Sequence, residues 1–347
     1  MGELLADYTT LRLGGPADRL LTHHDPTTWP DIARQVQDKE PPPFILGGGS
    51  NTLADDQGHQ GLVIVMATRG TRIRPLDHDR VDVQAQAGEP LSELVALTAA
   101  EGLSGIEYLG GIPGTVGAAP VQNTGAYGQQ ISDTLTSLTA YDWTLHRTTD
   151  LSLSQCGLRY RASAFKAEAG RWTILSVTLR LTRSARAAPI TYQHLADALA
   201  VPLGTRPPLT EAAQGVVADR IERGLSLPPS GPDARQAGSV FLNPTITSQQ
   251  AATVTAAGGP VHCGRDGSLS TSAGWLVEQA GYGPGARAAA GVYCSTRRTL
   301  TLTARRSATA SAFHEALRTM AERVYAGTGV TLHAEPVRLG ASVRAVN

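Results

Sequence analysis

The feature that most constrains the fold is a glycine-rich run over residues 110–128, which reads GGIPGTVGAAPVQNTGAYG. It carries two prolines and no charged side chain, and it interleaves small apolar residues with the amides Gln122 and Asn123 and the aromatic Tyr127. Flexible linkers are usually mixtures of glycine and serine. Glycine also lets a backbone approach a ligand closely. The run therefore predicts backbone pressed against a bound molecule.

A second glycine-rich run follows a short apolar strand in PPPFILGGGSN, where Gly47, Gly48 and Gly49 precede Ser50 and Asn51. Successive backbone N–H groups in such a turn can form an anion-binding nest. A simple tight turn is the alternative. No G-K-[ST] follows the triplet and no G-x-G-x-x-G opens a helix, so neither a Walker motif nor a dinucleotide fingerprint is present. Together the two runs predict one extended ligand with a diphosphate in its middle.

Composition excludes several other classes of protein. The chain has 347 residues, enough for two or three domains, and a formal net charge of zero, which argues against a general nucleic-acid binder. No apolar run approaches the roughly 18 residues of a membrane helix, and no signal peptide is visible. Cys156, Cys263 and Cys294 lie far apart and lack zinc-site spacing. We therefore expect a cytoplasmic, reduced monomer with no metal, nucleic-acid or membrane partner.

The order of apolar and breaker residues predicts an alternating α/β chain. In the helix around residues 90–105, Leu91, Leu94, Val95 and Leu97 are expected near one face, with Gly102 as the stop. The clearest long helix is predicted over 310–329. Predicted strands cover 18–24, 61–67, 71–76 and 171–184, and a further helix is predicted over 26–40.

Seven motifs then occur in a fixed order between Thr9 and Gly340: TTLRLGGPAD, LGGGSNTLADD, GIPGTVGAAPVQNTGAYG, LRYRASAFK, AGSVFLNP, AGWLVEQAGY and GVTLHAEPVRLG. Together they resemble the UDP-N-acetylenolpyruvoylglucosamine reductases, FAD enzymes of the second step of peptidoglycan precursor synthesis. The resemblance implies an α/β (α+β) fold with a two-part FAD-binding domain of the vanillyl-alcohol-oxidase/PCMH type and a third α/β substrate-binding domain. The implied domains are 1–70 joined by 332–347, 71–205, and 206–331.

The resemblance also implies the cofactors and the cycle. NADPH reduces FAD, and the UDP-sugar enolpyruvyl-UDP-N-acetylglucosamine is then reduced to UDP-N-acetylmuramate. Neither glycine-rich run contains a histidine or cysteine, so the FAD is expected to be noncovalent. The implied cofactor-binding residues are Gly47, Gly48, Gly49, Ser50, Asn51, Thr52, Gly111, Ile112, Pro113, Gly114, Gly117, Ala118, Gln122, Asn123, Gly125 and Tyr127.

Three motif positions match the family's catalytic residues: Arg161, Ser239 and Glu335. A fixed guanidinium suits the charge that develops beside the substrate carboxylate, and an acidic partner can hold the enolic form. A hydroxyl can deliver the proton to the α carbon. Singly, each residue could be an ordinary surface or loop residue, but three matches in the right order favour catalysis. The implied substrate-binding residues are Tyr127, Tyr192, Ser226 and Asn243.

The chain departs from the family pattern around the substrate. Ser226 stands where a lysine is usual, and Leu242 replaces a polar residue. Ala162 replaces an aspartate, and Val337 replaces an arginine that appears one step later as Arg338. Two alternatives follow: a paralogue of the same fold that reduces another nucleotide-linked or carboxylated alkene in specialised metabolism, and a non-enzymatic flavin- or nucleotide-binding protein. Retention of the three catalytic matches argues against the second.

Overall fold

The computed structural model describes residues 2–36, 41–264 and 267–340, which form two compact units. The first unit contains described residues 2–17, 49–60 and 227–340. The second contains described residues 18–36, 41–48 and 61–226. The GGG triplet therefore divides between them, with Gly47 and Gly48 in the second unit and Gly49 in the first. The partition into three domains at residues 70, 205 and 331 stays a prediction.

Nine α-helices occur in the described ranges. They are α1 (Trp29–Val36), α2 (Leu91–Ala100), α3 (Leu153–Cys156), α4 (Ala164–Ala167), α5 (Gln193–Ala198), α6 (Leu209–Glu222), α7 (Ser248–Ala256), α8 (Ala273–Gln279) and α9 (Ala310–Thr328).

The same ranges contain twenty strands. They are β1 (Ala17–His23), β2 (Phe44–Leu46), β3 (Thr52–Ala54), β4 (His59–Met66), β5 (Thr71–Pro75), β6 (Arg80–Gln86), β7 (Leu103–Ser104), β8 (Gly125–Ala126), β9 (Gln129–Gln130), β10 (Leu135–Asp142), β11 (Arg147–Ser152), β12 (Trp172–Arg183), β13 (Gln236–Ser239), β14 (Thr245–Ile246), β15 (Val261–Cys263), β16 (Leu269–Thr271), β17 (Arg287–Ala289), β18 (Val292–Cys294), β19 (Thr301–Ala304) and β20 (Val337–Leu339).

The second unit is built on a six-stranded sheet of order β11-β10-β12-β6-β5, in which β7 also pairs with β12. The named pairs are antiparallel. Side chains alternate along a strand, so Val81, Val83 and Ala85 of β6 all lie in the core. A separate three-stranded sheet has the order β1-β4-β2, and its core includes Trp29, which makes an edge-on contact with Tyr141.

The first unit has a four-stranded sheet of order β13-β19-β18-β17, and α9 packs in the same core. The helix begins after the N-cap Thr309 and ends before Gly329, which has φ +66°. Its buried residues Phe313, Leu317, Met320 and Val324 recur at helical spacing. A parallel pair, β3 with β20, places Thr52 opposite Val337 and so joins the chain after the GGG triplet to the C-terminal strand.

Most predicted elements are confirmed. Strands predicted over 18–24, 61–67, 71–76 and 171–184 correspond to β1, β4, β5 and β12, and the helix over 310–329 to α9. The helix predicted over 26–40 begins as a 3-10 turn and continues as α1 to Val36; residues 37–40 lie outside the described residues. In α2, Leu91, Leu94 and Val95 are buried as expected, but Leu97 is 39% exposed. Its predicted place near the same face is wrong, because at about 100° per residue it falls outside the arc of the buried side chains. No described helix has the length and apolar character needed to cross a membrane.

Candidate active site

The loop of Gly47, Gly48 and Gly49 directly follows β2, and close contacts with other parts of the chain require glycine there. Gly49 has φ +61°, and a Cβ built on it would collide with the carbonyl oxygen of Tyr8 and lie 2.7 Å from the Cα of Thr9. The carbonyl oxygen of Gly49 accepts a hydrogen bond of 3.1 Å from the backbone N–H of Thr10. Only glycine satisfies both the backbone angle and the space at this position.

The two glycine-rich runs meet within the second unit. A Cβ on Gly48 would lie 3.2 Å from the Cα of Gly114, and a Cβ on Gly47 would lie 2.6 Å from Thr115 Oγ1 and 3.3 Å from Ala118 Cβ. Contacts under about 3.4 Å are tighter than ordinary van der Waals packing. The absence of side chains on Gly47 and Gly48 therefore lets the two loops approach each other directly.

The place where the two loops meet, at Gly47, Gly48, Gly114 and Thr115, forms a glycine cradle that fits a nucleotide cofactor such as FAD. The hydroxyl of Thr115 is buried and has no hydrogen-bond partner among the described residues. A buried polar atom in a native protein usually has a partner, which can be a ligand or a water molecule. A ligand's phosphate or hydroxyl group can form hydrogen bonds with backbone groups here, because glycine has no side chain to keep the ligand away. The fit rests on Gly47, Gly48, Gly114 and Thr115.

The glycine-rich run over residues 110–128 also holds the turn that carries Arg161. The amide Nδ2 of buried Asn123 lies 3.3 Å from the carbonyl oxygen of Arg159, and it also lies 3.1 Å from both Gln130 Oε1 and Ser132 Oγ. The Asn123 side chain is thus engaged inside the protein, so a cofactor contact from this residue would come from its backbone. Nearby, the hydroxyl of Ser163 donates to the carbonyl oxygen of Val121 at 2.5 Å, which fixes the other side of the turn.

Arg161 occupies a strained position in this turn. The backbone N–H of Ala162 donates to the carbonyl oxygen of Arg159 at 3.1 Å, and Arg161 itself has φ +51°. Tight turns favour glycine or asparagine at such a position. Backbone strain of this kind clusters at functional sites. Its guanidinium Nη2 lies 3.4 Å from the carbonyl oxygen of Gly125, so Arg161 lies beside the glycine-rich run.

Tyr127 forms a buried polar cluster with α6. Its phenol donates a 2.6 Å hydrogen bond to Asp219 Oδ2, and Arg223 Nη1 lies 3.3 Å from the same oxygen. Burial, together with that hydrogen bond, raises the pKa of Tyr127 to about 12. The phenol therefore stays protonated near neutral pH and donates a hydrogen bond to Asp219. The ring of Tyr127 packs edge-on against that of Tyr192, with 6.2 Å between the ring centroids, and Tyr192 is 51% exposed.

The end of α6 brings a buried cation to the same run. Arg220 is 8% exposed and donates from Nη2 to the carbonyl oxygen of Leu225 at 2.9 Å. A Cβ on Gly111 would lie 3.4 Å from Arg220 Cδ. Burial lowers the pKa of Arg220 below its ordinary value, although a guanidinium stays charged at neutral pH. Arg220 Nε and Ser226 Oγ are buried without a hydrogen-bond partner in the described part of the chain.

In the first unit, Ser239 and Glu335 lie on adjacent extended segments. Ser239 ends β13, and the next residue, Val240, accepts a 2.9 Å hydrogen bond from the backbone N–H of Glu335. The carbonyl oxygen of Glu335 accepts from Asn51 Nδ2 at 3.2 Å, and the backbone N–H of Val337 donates to the carbonyl oxygen of Asn51 at 2.8 Å. The loop after Gly49 and two catalytic candidates are therefore joined in one unit.

Two positions that depart from the family pattern, Val337 and Arg338, and the predicted substrate contact Asn243 differ in how far their side chains are already engaged. Arg338 forms a bidentate ion pair with Asp55, at 2.7–3.0 Å, so its charge is already engaged. Val337 is 43% exposed. Asn243 Oδ1 accepts a 3.0 Å hydrogen bond from the backbone N–H of Ala273 at the start of α8, which leaves its amide nitrogen as the group that could meet a ligand.

The structure thus groups the predicted site residues unit by unit, and their roles stay predictions. The sequence by itself did not single out Thr10, Asp219 or Arg235, whose hydrogen bonds to residues distant in sequence appear only in the structure. Spacing within TTLRLGG or α6 could not reveal their long-range partners. Among the described residues, no group of three or more His, Cys, Asp and Glu side chains could hold a metal ion. The second unit contains Gly47, Gly48, Gly111, Ile112, Pro113, Gly114, Gly117, Ala118, Gln122, Asn123, Gly125, Tyr127, Arg161, Tyr192 and Ser226, and the first contains Gly49, Ser50, Asn51, Thr52, Ser239, Asn243 and Glu335.

Comparison with protein families first defines the class. Residues 19–144 match a family described as an FAD binding domain, and residues 231–339 match the C-terminal domain of UDP-N-acetylenolpyruvoylglucosamine reductase. Both matches agree with the expected α/β flavoprotein fold of two parts and a further α/β domain, and that fold class is confirmed.

Curated relatives identify the family over nearly the whole chain. The UDP-N-acetylenolpyruvoylglucosamine reductase of Salinispora arenicola is 41% identical over 96% of this chain and 93% of the relative. That of Thermobifida fusca is 40% identical over 98% of this chain and 97% of the relative. A solved structure of the reductase from Thermus caldophilus shares the fold, with a TM-score of 0.64, 24% identity and 97% coverage of each chain. The chain belongs to the UDP-N-acetylenolpyruvoylglucosamine reductase family.

Proposed function

We propose that this chain catalyses the FAD-dependent reduction of enolpyruvyl-UDP-N-acetylglucosamine to UDP-N-acetylmuramate, with NADPH as the reductant, as a monomer in the cytoplasm. The observation that carries the proposal is similarity to curated reductases over 96% of the chain, with Arg161, Ser239 and Glu335 all in place. The three cysteines are free thiols, which suits a reducing compartment. The glycine cradle supports noncovalent FAD, since neither run offers a histidine or cysteine for attachment.

Once reduced by NADPH, FAD held by the glycine-rich loops would supply a hydride to the vinyl CH₂ carbon of the enolpyruvyl group. The α carbon then needs a proton, and the hydroxyl of Ser239 is the group that we assign to deliver it. Arg161 offers a guanidinium to the substrate carboxylate, where negative charge increases during the reaction. Glu335 stabilises the enolic form. Its backbone hydrogen bond to Val240 supports this assignment, because it fixes Glu335 against the segment that follows Ser239.

We assign the UDP-sugar to Tyr192, Ser226 and Asn243. Tyr127 would contribute through its ring, because its hydroxyl already donates a hydrogen bond to Asp219. The missing lysine at Ser226 leaves the substrate diphosphate without one cation. Of the two nearby arginines, Arg223 is the more accessible substitute for that lysine, since its side chain is 35% exposed whereas Arg220 is buried. An arginine contacts a diphosphate through a planar fork and does not reproduce a lysine in detail.

Anaerobic stopped-flow spectroscopy tests the proposal by separating the two half-reactions. The purified protein should be yellow, NADPH should bleach the flavin, and enolpyruvyl-UDP-N-acetylglucosamine should restore its colour. Ser239→Ala should leave bleaching nearly unchanged and slow reoxidation by about 10²–10⁴-fold, the usual scale for a general acid. Ser270→Ala, in β16 of the same unit, is the control and should behave like wild type. Reduced wild type that ignores this substrate would favour the paralogue.

A further inference from the structure

The N-terminal segment 9–12 forms a strap in the first unit between the Gly49 loop and β13. The hydroxyl of Thr10 donates to the carbonyl oxygen of Gln236 at 2.5 Å, and the backbone N–H of Thr10 donates to the carbonyl oxygen of Gly49 at 3.1 Å. The hydroxyl also lies 3.4 Å from the carbonyl oxygen of Gly49, but it has one proton, so we assign its hydrogen bond to the shorter contact with Gln236. Thr10 thus connects two segments that are distant in sequence.

Arg235 holds the strap in place at the entrance to β13. Its Nε donates to the carbonyl oxygen of Leu11 at 3.1 Å, and its Nη2 donates to that of Arg12 at 2.8 Å. Leu11 is fully buried in the core, and Arg12 has φ +51°. Burial lowers the pKa of Arg235 from its ordinary value, and its guanidinium donates to the backbone carbonyl oxygens of Leu11, Arg12 and Arg305. Because its planar guanidinium donates to the carbonyl oxygens of two successive residues, Arg235 fixes the position of the backbone at Leu11 and Arg12.

The hydrogen bonds close into a ring around the catalytic candidates. From Gly49 the ring passes through Thr10 to Gln236 and along β13 past Ser239 to Val240. The backbone N–H of Glu335 continues it from Val240, and Asn51 returns it to the loop after Gly49. Removing the hydroxyl of Thr10 breaks this ring at its hydrogen bond to Gln236, which connects β13 to the loop at Gly49.

We propose that Thr10 is a positioning residue, which acts through Gln236 to hold Ser239 in register with the Gly49–Asn51 loop that we assign to FAD. The inference rests on the proposed function, because Ser239 and the loop take their roles from it. Displacing a reacting group by about 1 Å can cost about 10²-fold in rate. A residue that only stabilised the fold would leave the rate of the folded enzyme unchanged.

The test compares Thr10→Val with Thr9→Val, two isosteric removals of a hydroxyl in the same strap. Thr9 is buried, but its hydroxyl donates locally, to the carbonyl oxygen of Leu13 at 3.2 Å, and not to β13. Thr10→Val should slow flavin reoxidation by substrate about 10- to 100-fold, leave reduction by NADPH within about threefold, and weaken FAD binding to the apoprotein about tenfold. Thr10→Ser should restore all three values, and Thr9→Val should match wild type in each.

Two outcomes would overturn the inference. One is an equal effect of Thr9→Val and Thr10→Val on reoxidation at matched folded fractions, which urea unfolding of each variant establishes. The other is an unchanged FAD dissociation constant in Thr10→Val. The binding measurement needs no substrate turnover, so it decides the role of Thr10 even if wild type fails to use enolpyruvyl-UDP-N-acetylglucosamine.

Discussion

Replacing Tyr127 by phenylalanine should destabilise the second unit more than the same replacement at Tyr108. Both phenols are buried and both donate a hydrogen bond of 2.6 Å, Tyr127 to the carboxylate of Asp219 and Tyr108 to the carbonyl oxygen of Ala188. The pair therefore differs mainly in the charge of the acceptor. In each variant the ring and its apolar contacts remain, so the comparison isolates the hydroxyl.

The expected magnitudes follow from the two acceptors. A hydrogen bond to a charged group contributes about 1.5–3 kcal/mol, and one between neutral groups contributes about 0.5–1.5 kcal/mol. Asp219 is 6% exposed, so Tyr127→Phe leaves a buried carboxylate with a weaker set of partners. We expect a loss of about 2–3 kcal/mol for Tyr127→Phe and about 1 kcal/mol for Tyr108→Phe.

Urea unfolding at neutral pH and then at increasing pH measures both effects. Because the folded pKa of Tyr127 lies above its unfolded value, the stabilisation is complete below pH 10 and is lost as the pH rises towards 12. The stability difference between wild type and Tyr127→Phe should therefore be constant near neutral pH and shrink above pH 10. Asp219→Asn combined with Tyr127→Phe should cost less than the sum of the single changes.

Equal losses of stability in Tyr127→Phe and Tyr108→Phe would refute this reasoning, because the charge of Asp219 would then contribute nothing. Additive effects of Tyr127→Phe and Asp219→Asn would refute it as well. A stability difference that grows above pH 10 would contradict the sign of the pKa shift.

The remaining predictions concern glycines. Gly48→Val should weaken FAD binding by about 1–3 kcal/mol, because its side chain would push against the backbone of Gly114; fluorescence titration of the apoprotein measures this, and unchanged affinity would contradict it. Gly49→Ala should lower the free energy of unfolding more than Gly258→Ala, since both have positive φ but only Gly49 faces backbone; equal unfolding midpoints would argue against the close approach. Gly327→Ala, in α9 with open space around it, should raise stability by about 0.5 kcal/mol in thermal unfolding, and a lower midpoint would contradict this.

The sequence by itself determined the elements and the family. Periodicity located α9 and β12 because core-facing residues repeat every 3.6 or 2 positions in any fold that uses those elements. The order of seven motifs predicted a flavoprotein reductase, and the curated relatives confirm that family. The GGG triplet indicated a tight turn or an anion-binding nest, but the positive φ of Gly49 and its close contact with Tyr8 and Thr9 were shown only by the folded chain.

The tertiary structure decided which partners the polar side chains take. Asn123 is a cofactor candidate from its motif, yet its side chain is engaged by protein atoms. Tyr127 meets Asp219 across 92 residues of sequence, and Thr10 meets Gln236 across 226. A hydrogen bond depends on distances near 3 Å and on direction, which folding sets and residue spacing does not encode. Residue types therefore indicated the chemistry, and only the folded chain showed which side chains remain able to meet a ligand.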